Sequence, residues 1–508
     1  MELAGRSGFR LNLYAYYVPV NINTFQIRIH IAVHFFILIL FLGSFQALYS
    51  QEGNEITDPE VLNFNYGIGT QTIGPSYGFT SDDRLVETAQ AILNMGSNIL
   101  KINLSTNSYS ITGRSAYKTL TELVRDDPSF SKVLDMPFTY YFFWARSNAD
   151  WADGYSTAER SEDSLQLSEL TAYLLYRFNN SGKQFFLGHW EGDWYLLPNY
   201  DASYIPSDVR CNNMIQWYNA RQNAIDEAKR IFIHNNVDVF SYCEVNRVVD
   251  AKNGLRRVVN KVLPFSNVDY VSYSSYDAQD LSQTEFNTLL SFIEGYLPPK
   301  PQIQGKRVFI GEMGRNAQSL SFSKSQHESV NRTNIRKALA WGCPFVLYWE
   351  MYNNEISNNV QKGFWLIDNK NEKWPLYYTY SDFYIKAKEW VAGQKILLNR
   401  LPSSEEYLTW AYNNLIKGVS TNSYDAENPV NSDIEVYPNP VTDKLYIELN
   451  SNTIEKINLI DINGLIQYIE IQKTSDTYLI NSSALSAGIY LLSIQTENEI
   501  IVRKVFIK

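Results

Sequence analysis

The chain has 508 residues, with 44 Lys and Arg against 54 Asp and Glu, and 14% of it is aromatic. That length exceeds one ordinary domain and fits a barrel of roughly 250 residues with a smaller module beside it. The mild negative balance, with no basic tract longer than Arg256-Arg257, argues against an electrostatic hold on nucleic acid. Three cysteines (Cys211, Cys243 and Cys343), without a CxxC pair, argue against a disulfide framework or zinc site and are expected to be buried thiols.

Residues 1–50 read as a signal peptide with an N-terminal extension. The apolar run from Ile31 to Phe45 follows Arg28 and His30 and precedes a small-residue stretch. It is shorter than the ~20 residues of a spanning helix, so no stable transmembrane segment is expected after cleavage.

From Asn63 to Ala392, short β-rich runs alternate with helix-period stretches. Eight runs are predicted as strands, beginning at Phe64, Ser97, Phe138, Phe185, Val237, Val268, Arg307 and Phe345. A helix capped by Ser81 and Asp82 runs to Met95 with Gly96 past its end, Asn212 to His234 is amphipathic, and Asn334 to Trp341 closes at Gly342. Eight βα repeats, with no glycine-rich phosphate fingerprint after the first strand, favour a closed (β/α)8 TIM barrel over residues 60–395 rather than an open doubly wound sheet.

Residues 396–432 read as a transition and a polar linker rich in Asn and Ser. Residues 433–508 alternate apolar and polar positions between turn signals, which predicts a small all-β Ig-like sandwich. This segment resembles the type IX secretion C-terminal sorting domain, in its YPNP opening (Tyr437 to Pro440), DING turn (Asp461 to Gly464), GIYLL strand (Gly488 to Leu492) and closing Lys504-Val505 strand. The resemblance implies the type IX machinery as a partner, passage through the periplasm, and a secreted or outer-membrane cell-surface location.

Catalytic residues of a barrel stand at the C-terminal ends of its strands. Four glutamates fall there: Glu191, Glu244, Glu312 and Glu350. Strands four and seven face each other across the mouth, so Glu191 and Glu312 can approach the ~5 Å separation of retaining glycoside hydrolysis. Trp190 and Trp194 flank Glu191 and can desolvate it, as a general acid needs, which leaves Glu312 as the nucleophile. Gly311 and Gly314 allow close backbone approach around it.

With that placement the region resembles the clan-A retaining glycoside hydrolases, which carry an acid/base Glu after strand four and a nucleophile Glu after strand seven. The resemblance implies a polysaccharide or oligosaccharide substrate, Tyr273 as hydrogen-bond partner of the nucleophile, and Trp349 as the platform under the sugar. Many clan members have Asn directly before the acid/base Glu; here that residue is Trp190. Asp193 is accordingly a rival acid, and Glu244 or Asn246 a source of the missing polar contact. His189 is a candidate wall residue, and Trp144 and Trp151 either line the site or pack in the core. No HxH or HExxH cluster supports a metal, and no cofactor is expected. The leading expectation is a secreted retaining hydrolase of a β-linked, glucan-like polysaccharide. The alternatives are a barrel hydrolase or lyase of other chemistry, and a non-catalytic glycan-binding or adhesive surface protein.

Overall fold

A computed structural model describes residues 56–418 apart from 110, 112–116 and 148, and residues 434–508 apart from 450–453, 462–465, 475–476 and 497–499. The predicted signal peptide, much of the linker and most of the DING turn lie outside the described residues. The chain divides into two compact units at residues 419 and 420. Among the described residues no helix is long and apolar enough to cross a membrane.

The first unit is a closed barrel of eight parallel strands: β1 Ile68–Thr72, β2 Ile99–Asn103, β3 Tyr140–Trp144, β4 Gln184–Gly188, β5 Asp238–Val245, β6 Tyr270–Ser274, β7 Val308–Met313 and β8 Val346–Tyr348. β8 closes on β1, pairing Val346 with Ile68. Each predicted run overlaps one strand. The first begins four residues later than expected, because Gly67 turns the chain at φ 74° and the strand itself carries Thr70, Gln71 and Thr72, polar residues that dilute the apolar signal.

Alternation divides the barrel residues between two layers. Phe142, Phe186, Tyr242, Phe309, Phe345 and Leu347 fill the interior, and Phe142 stacks on Phe186 with centroids 4.4 Å apart. Their neighbours Tyr141, Phe143, Phe185, Cys243, Val271 and Ile310 face outward into the larger core under the helices. Each fully buried Phe contributes about 1.5–3 kcal/mol, so this aromatic interior is a main source of barrel stability.

Helix Arg84–Met95 ends at Gly96, whose φ of 107° suits only glycine, but its N-cap is Asp83, one residue past the expected pair. Helix Asp208–Ile231 starts earlier than predicted because Ser207 accepts the Arg210 N–H, and Lys324–Trp341 begins ten residues before the expected segment, capped by Ser323. The expected transition after residue 395 holds a further helix, Ser404–Asn414, with a complete capping box. It packs on helix Pro375–Leu398 by stacking Trp410 on Trp390, and its Tyr407 hydroxyl donates to the Tyr66 carbonyl beside β1. All three cysteines are free and buried.

The second unit is all-β, with two four-stranded antiparallel sheets. Val441, Leu445, Ile447, Ile480, Leu492 and Val505 are among the residues of its core. The GIYLL run lies in the strand Gly488–Thr496, which pairs with the terminal strand Ile500–Ile507 in the register Leu491 to Lys504.

Candidate active site

A cleft of about 670 Å³ opens at the C-terminal ends of the barrel strands, with Trp144, Trp190, Trp194, Tyr276, Trp349 and Phe364 as its aromatic walls. Glu191 and Glu312 both line it, together with Asp277 and Glu355.

Glu191 follows β4 and opens the short helix Gly192–Leu196. Gly192 is required there, since a Cβ would lie 2.6 Å from the Glu244 carbonyl oxygen. The Glu191 carboxyl accepts a hydrogen bond from Ser274 Oγ at 2.6 Å, and its backbone N–H donates to Glu244 Oε1 at 2.9 Å. Glu312 owes its position to an irregularity in β7. Val308 and Ile310 point outward, so strict alternation would send Glu312 outward too. The pairing with β6 shifts, so that Tyr273 aligns with Ile310 but Ser274 with Glu312, and this bulge re-aims the carboxylate into the cleft. Gly311 makes the bulge possible: a Cβ there would fall 1.7 Å from Ser272 Oγ.

Beneath the cleft lies Lys101 of β2, fully buried. Its ammonium donates to Glu244 Oε2 (3.1 Å), Glu312 Oε1 (3.2 Å) and the Gly311 carbonyl (3.0 Å), which uses all three of its protons. Its Nζ also sits 4.9 Å from the Trp144 ring centre. Ser272 Oγ adds a third donor to Glu244, at 2.6 Å. One cation therefore bridges two neighbouring carboxylates, Glu244 and Glu312. Burial pushes Glu191 up to about 7, the Ser274 hydrogen bond opposing it and the Glu244 charge adding to it. Burial also raises Glu312 well above the usual carboxylate range, while the Lys101 ammonium pulls it back. Direct contact with an ammonium favours the ionised form at Glu312, whereas Glu191 touches only a neutral hydroxyl.

Of the sequence candidates, Glu191, Glu312, Trp190, Trp194, Asn246 and Trp349 line the cleft. Four others do not. Tyr273 alternates with the inward-facing Ser272 and Ser274, so it points outward, and its hydroxyl donates to Asp277 Oδ1 at 2.6 Å rather than to Glu312. Asp193 is buried and takes three backbone N–H groups, from Asn246, Arg247 and Val258, so it fastens the loop after β5 and does not face the cleft as an acid. Glu244 is fully buried under the floor, occupied by Lys101, Ser272 and Glu191. His189 is held behind the cleft. Its Nδ1 bonds the Trp190 carbonyl (2.8 Å), which leaves Nε2 to accept from Tyr218 (2.6 Å), and burial pushes it down to about 3, so it stays neutral. Asn246 is at the cleft, but its Oδ1 accepts the Asp193 N–H. Trp144 does line the site, whereas Trp151 stacks on Trp217 in the core.

Sequence reasoning missed Lys101, Ser274, Tyr276 and Glu355. Lys101 left a signal: a lone charge in the apolar run Ile99–Asn103, on the same face as Ile99, which fills the barrel interior. Tyr276 stands where Tyr273 was expected. Its hydroxyl is pushed well above its ordinary value, by burial first and then by the charges of Glu312 and Glu191. Trp144 and Trp349 carry buried indole N–H groups with no protein partner, at the cleft wall.

Residues 435–508 match the family described as "Secretion system C-terminal sorting domain". The C-terminal segment is a sorting domain. Its presence marks the chain for export, to the cell surface or beyond it. No curated protein matches the chain. Among solved structures, the chain is similar to an FMN-binding beta-glucuronidase from Facaelibacterium prausnitzii L2-6, at 10% identity and a TM-score of 0.37, covering 87% of this chain and 56% of that one. It is also similar to a family 39 glycoside hydrolase from Bacteroides cellulosilyticus WH2, at 11% identity and a TM-score of 0.42, covering 83% of this chain and 80% of that one. A GH5-4 broad specificity endoglucanase from Clostridium acetobutylicum, at 13% identity and a TM-score of 0.40, covers 64% of this chain and 97% of its own.

Proposed function

We propose that the protein is an exported retaining glycoside hydrolase that cleaves a β-linked polysaccharide. The observation that carries this reading is the pairing of Glu191 and Glu312 across one aromatic cleft, the first bonded to a neutral hydroxyl and the second to a buried ammonium. A retaining mechanism needs one protonated carboxyl and one ionised carboxylate facing the same glycosidic bond. In this assignment Glu191, raised to about 7, protonates the leaving oxygen, while Glu312 attacks the anomeric carbon and forms a glycosyl ester. Glu191, now ionised, then takes a proton from the water that hydrolyses the ester, which restores both groups.

Trp349 and Trp144 present ring faces to the sugar, and their unpartnered indole N–H groups are donors for its hydroxyls. Tyr276 is the residue near Glu312 able to donate to it, the role first given to Tyr273. Lys101 and Glu244 act as positioning residues: the first keeps Glu312 charged, and the second anchors the backbone of Glu191. The sorting domain delivers this unit through the type IX machinery to the surface or the medium.

The test is hydrolysis of β-glucans, mannans and xylans by the purified chain and by Glu312→Gln. Sugar release by the wild type alone supports the reading. Glycan binding without cleavage by either form would hand the barrel to the non-catalytic, glycan-binding alternative.

A further inference from the structure

A second cavity, of about 610 Å³, lies beside the cleft and shares Trp144 and Trp190 with it. Its volume falls within the ~300–1,000 Å³ of small-molecule sites. Its lining differs in charge from that of the cleft. The cleft carries Glu191, Glu312, Asp277 and Glu355 against one cation, Arg247, which is itself paired with Asp250 at 2.7 Å. Among the described residues, the second cavity is lined by Arg146 and Lys118 and by no carboxylate.

The acids nearest to it are occupied. Asp163 accepts from Ser147 and Tyr155, Glu162 from Gln166, and Glu122 takes the backbone N–H of Lys118. His189, on the same wall, is neutral. No protein acceptor is hydrogen-bonded to the Arg146 guanidinium or the Lys118 ammonium among the described residues. Arg146, exposed and two residues past the end of β3, rests its guanidinium 4.5 Å from the centre of the Tyr195 ring. Tyr195 lines the same cavity, so the stacked guanidinium lies at its wall.

We propose that this cavity is a subsite for an anionic sugar unit, one bearing a carboxylate or a sulfate, of a glycan whose neighbouring units lie across Trp144 and Trp190 in the cleft. The inference rests on the hydrolase reading for the cleft and adds its substrate class. The carboxyl-lined cleft offers an acidic unit no unpaired cation, since Arg247 is held by Asp250. One step away the unit meets a planar guanidinium suited to bidentate recognition of either anion, with a second cation beside it. The two indoles form a common apolar wall on which the linking sugar rings can stack.

The experiment is ligand-observed NMR titration of the full chain carrying Glu312→Gln, which reads binding without turnover. The probes are methyl β-D-glucuronide, glucose 6-sulfate and the uncharged methyl β-D-glucoside. We expect saturable binding of at least one anionic probe, tighter than the glucoside by about tenfold or more, the ratio of one charge-assisted pair. That preference is expected to disappear in Arg146→Ala/Lys118→Ala, with the melting temperature unchanged. The glucuronide and sulfate arms tell the two anions apart. Equal binding of charged and neutral probes, no anion binding at tens of millimolar, or a preference that survives the double substitution overturns the inference. Cleavage of neutral β-glycans by the wild type, alongside any of those results, would leave the hydrolase reading standing and remove only this one.

Discussion

Lys101→Met isolates the charge that the site depends on. At an effective dielectric of about 20, charges 3.2 Å apart interact by about 5 kcal/mol, and breaking a buried pair costs about 3–5 kcal/mol. The lower end applies here, because the ammonium is shared between Glu312 and Glu244. About 3 kcal/mol corresponds to roughly two pH units at 1.36 kcal/mol each. The acid limb of kcat/KM, which reports ionisation of Glu312, is therefore expected to move upward by about two pH units, with roughly a hundredfold loss on the acidic side. Glu244→Gln removes the carboxylate that competes for Lys101, so its limb moves downward, and the double variant recovers part of the loss. The assay is the pH profile of kcat/KM on the best glycan substrate, with circular dichroism as the folding control. An acid limb unmoved in Lys101→Met refutes the account of how Glu312 is kept ionised.

Three further outcomes follow from the geometry. Glu191 has a folded value of about 7 against 4.5 in the unfolded chain, so the folded state binds the extra proton and stability falls as pH rises between those values. The difference, 2.5 times 1.36, is about 3 kcal/mol; Glu191→Gln is thus expected to gain up to that much stability at pH 8 and little at pH 4, measured by urea unfolding. Gly311→Ala places a methyl group 1.7 Å from Ser272 Oγ, so the bulge shifts and Glu312 with it. Its kcat is expected to fall at least tenfold together with a loss of about 1–3 kcal/mol in stability, and wild-type kcat in this variant would show that the bulge does not aim Glu312. Tyr276→Phe is expected to alter the acid limb while Tyr273→Phe leaves it in place, a pattern whose reversal would restore the original assignment.

The barrel was legible because its strands are short apolar runs at regular spacing, and the two glutamates because strand ends can be counted. What escaped was set by side-chain parity and by one bulge. Alternation alone excludes Tyr273, since Ser272 and Ser274 must share the inward face with Tyr270. The same alternation would have excluded Glu312, and only the pairing shift opposite Ser274 reverses that, a feature of three-dimensional pairing that leaves no mark in the spacing. Asp193 and Glu244 looked like site carboxylates because nothing local distinguishes a carboxylate facing a cleft from one satisfied underneath it. Their partners come from 28 to 143 residues away, Ser272 and Lys101 being the two extremes for Glu244. The C-terminal unit was the most legible part, since its motifs are contiguous and match a known sorting domain.

The most direct test of the central claim is the anomeric configuration of the first product, followed by proton NMR during hydrolysis of a β-linked oligosaccharide, with a 2-fluoro-glycosyl probe to trap the ester. The account predicts that the β-anomer appears first and that the trapped sugar is attached to Glu312. Initial release of the α-anomer, or a sugar trapped on any other residue, would contradict it.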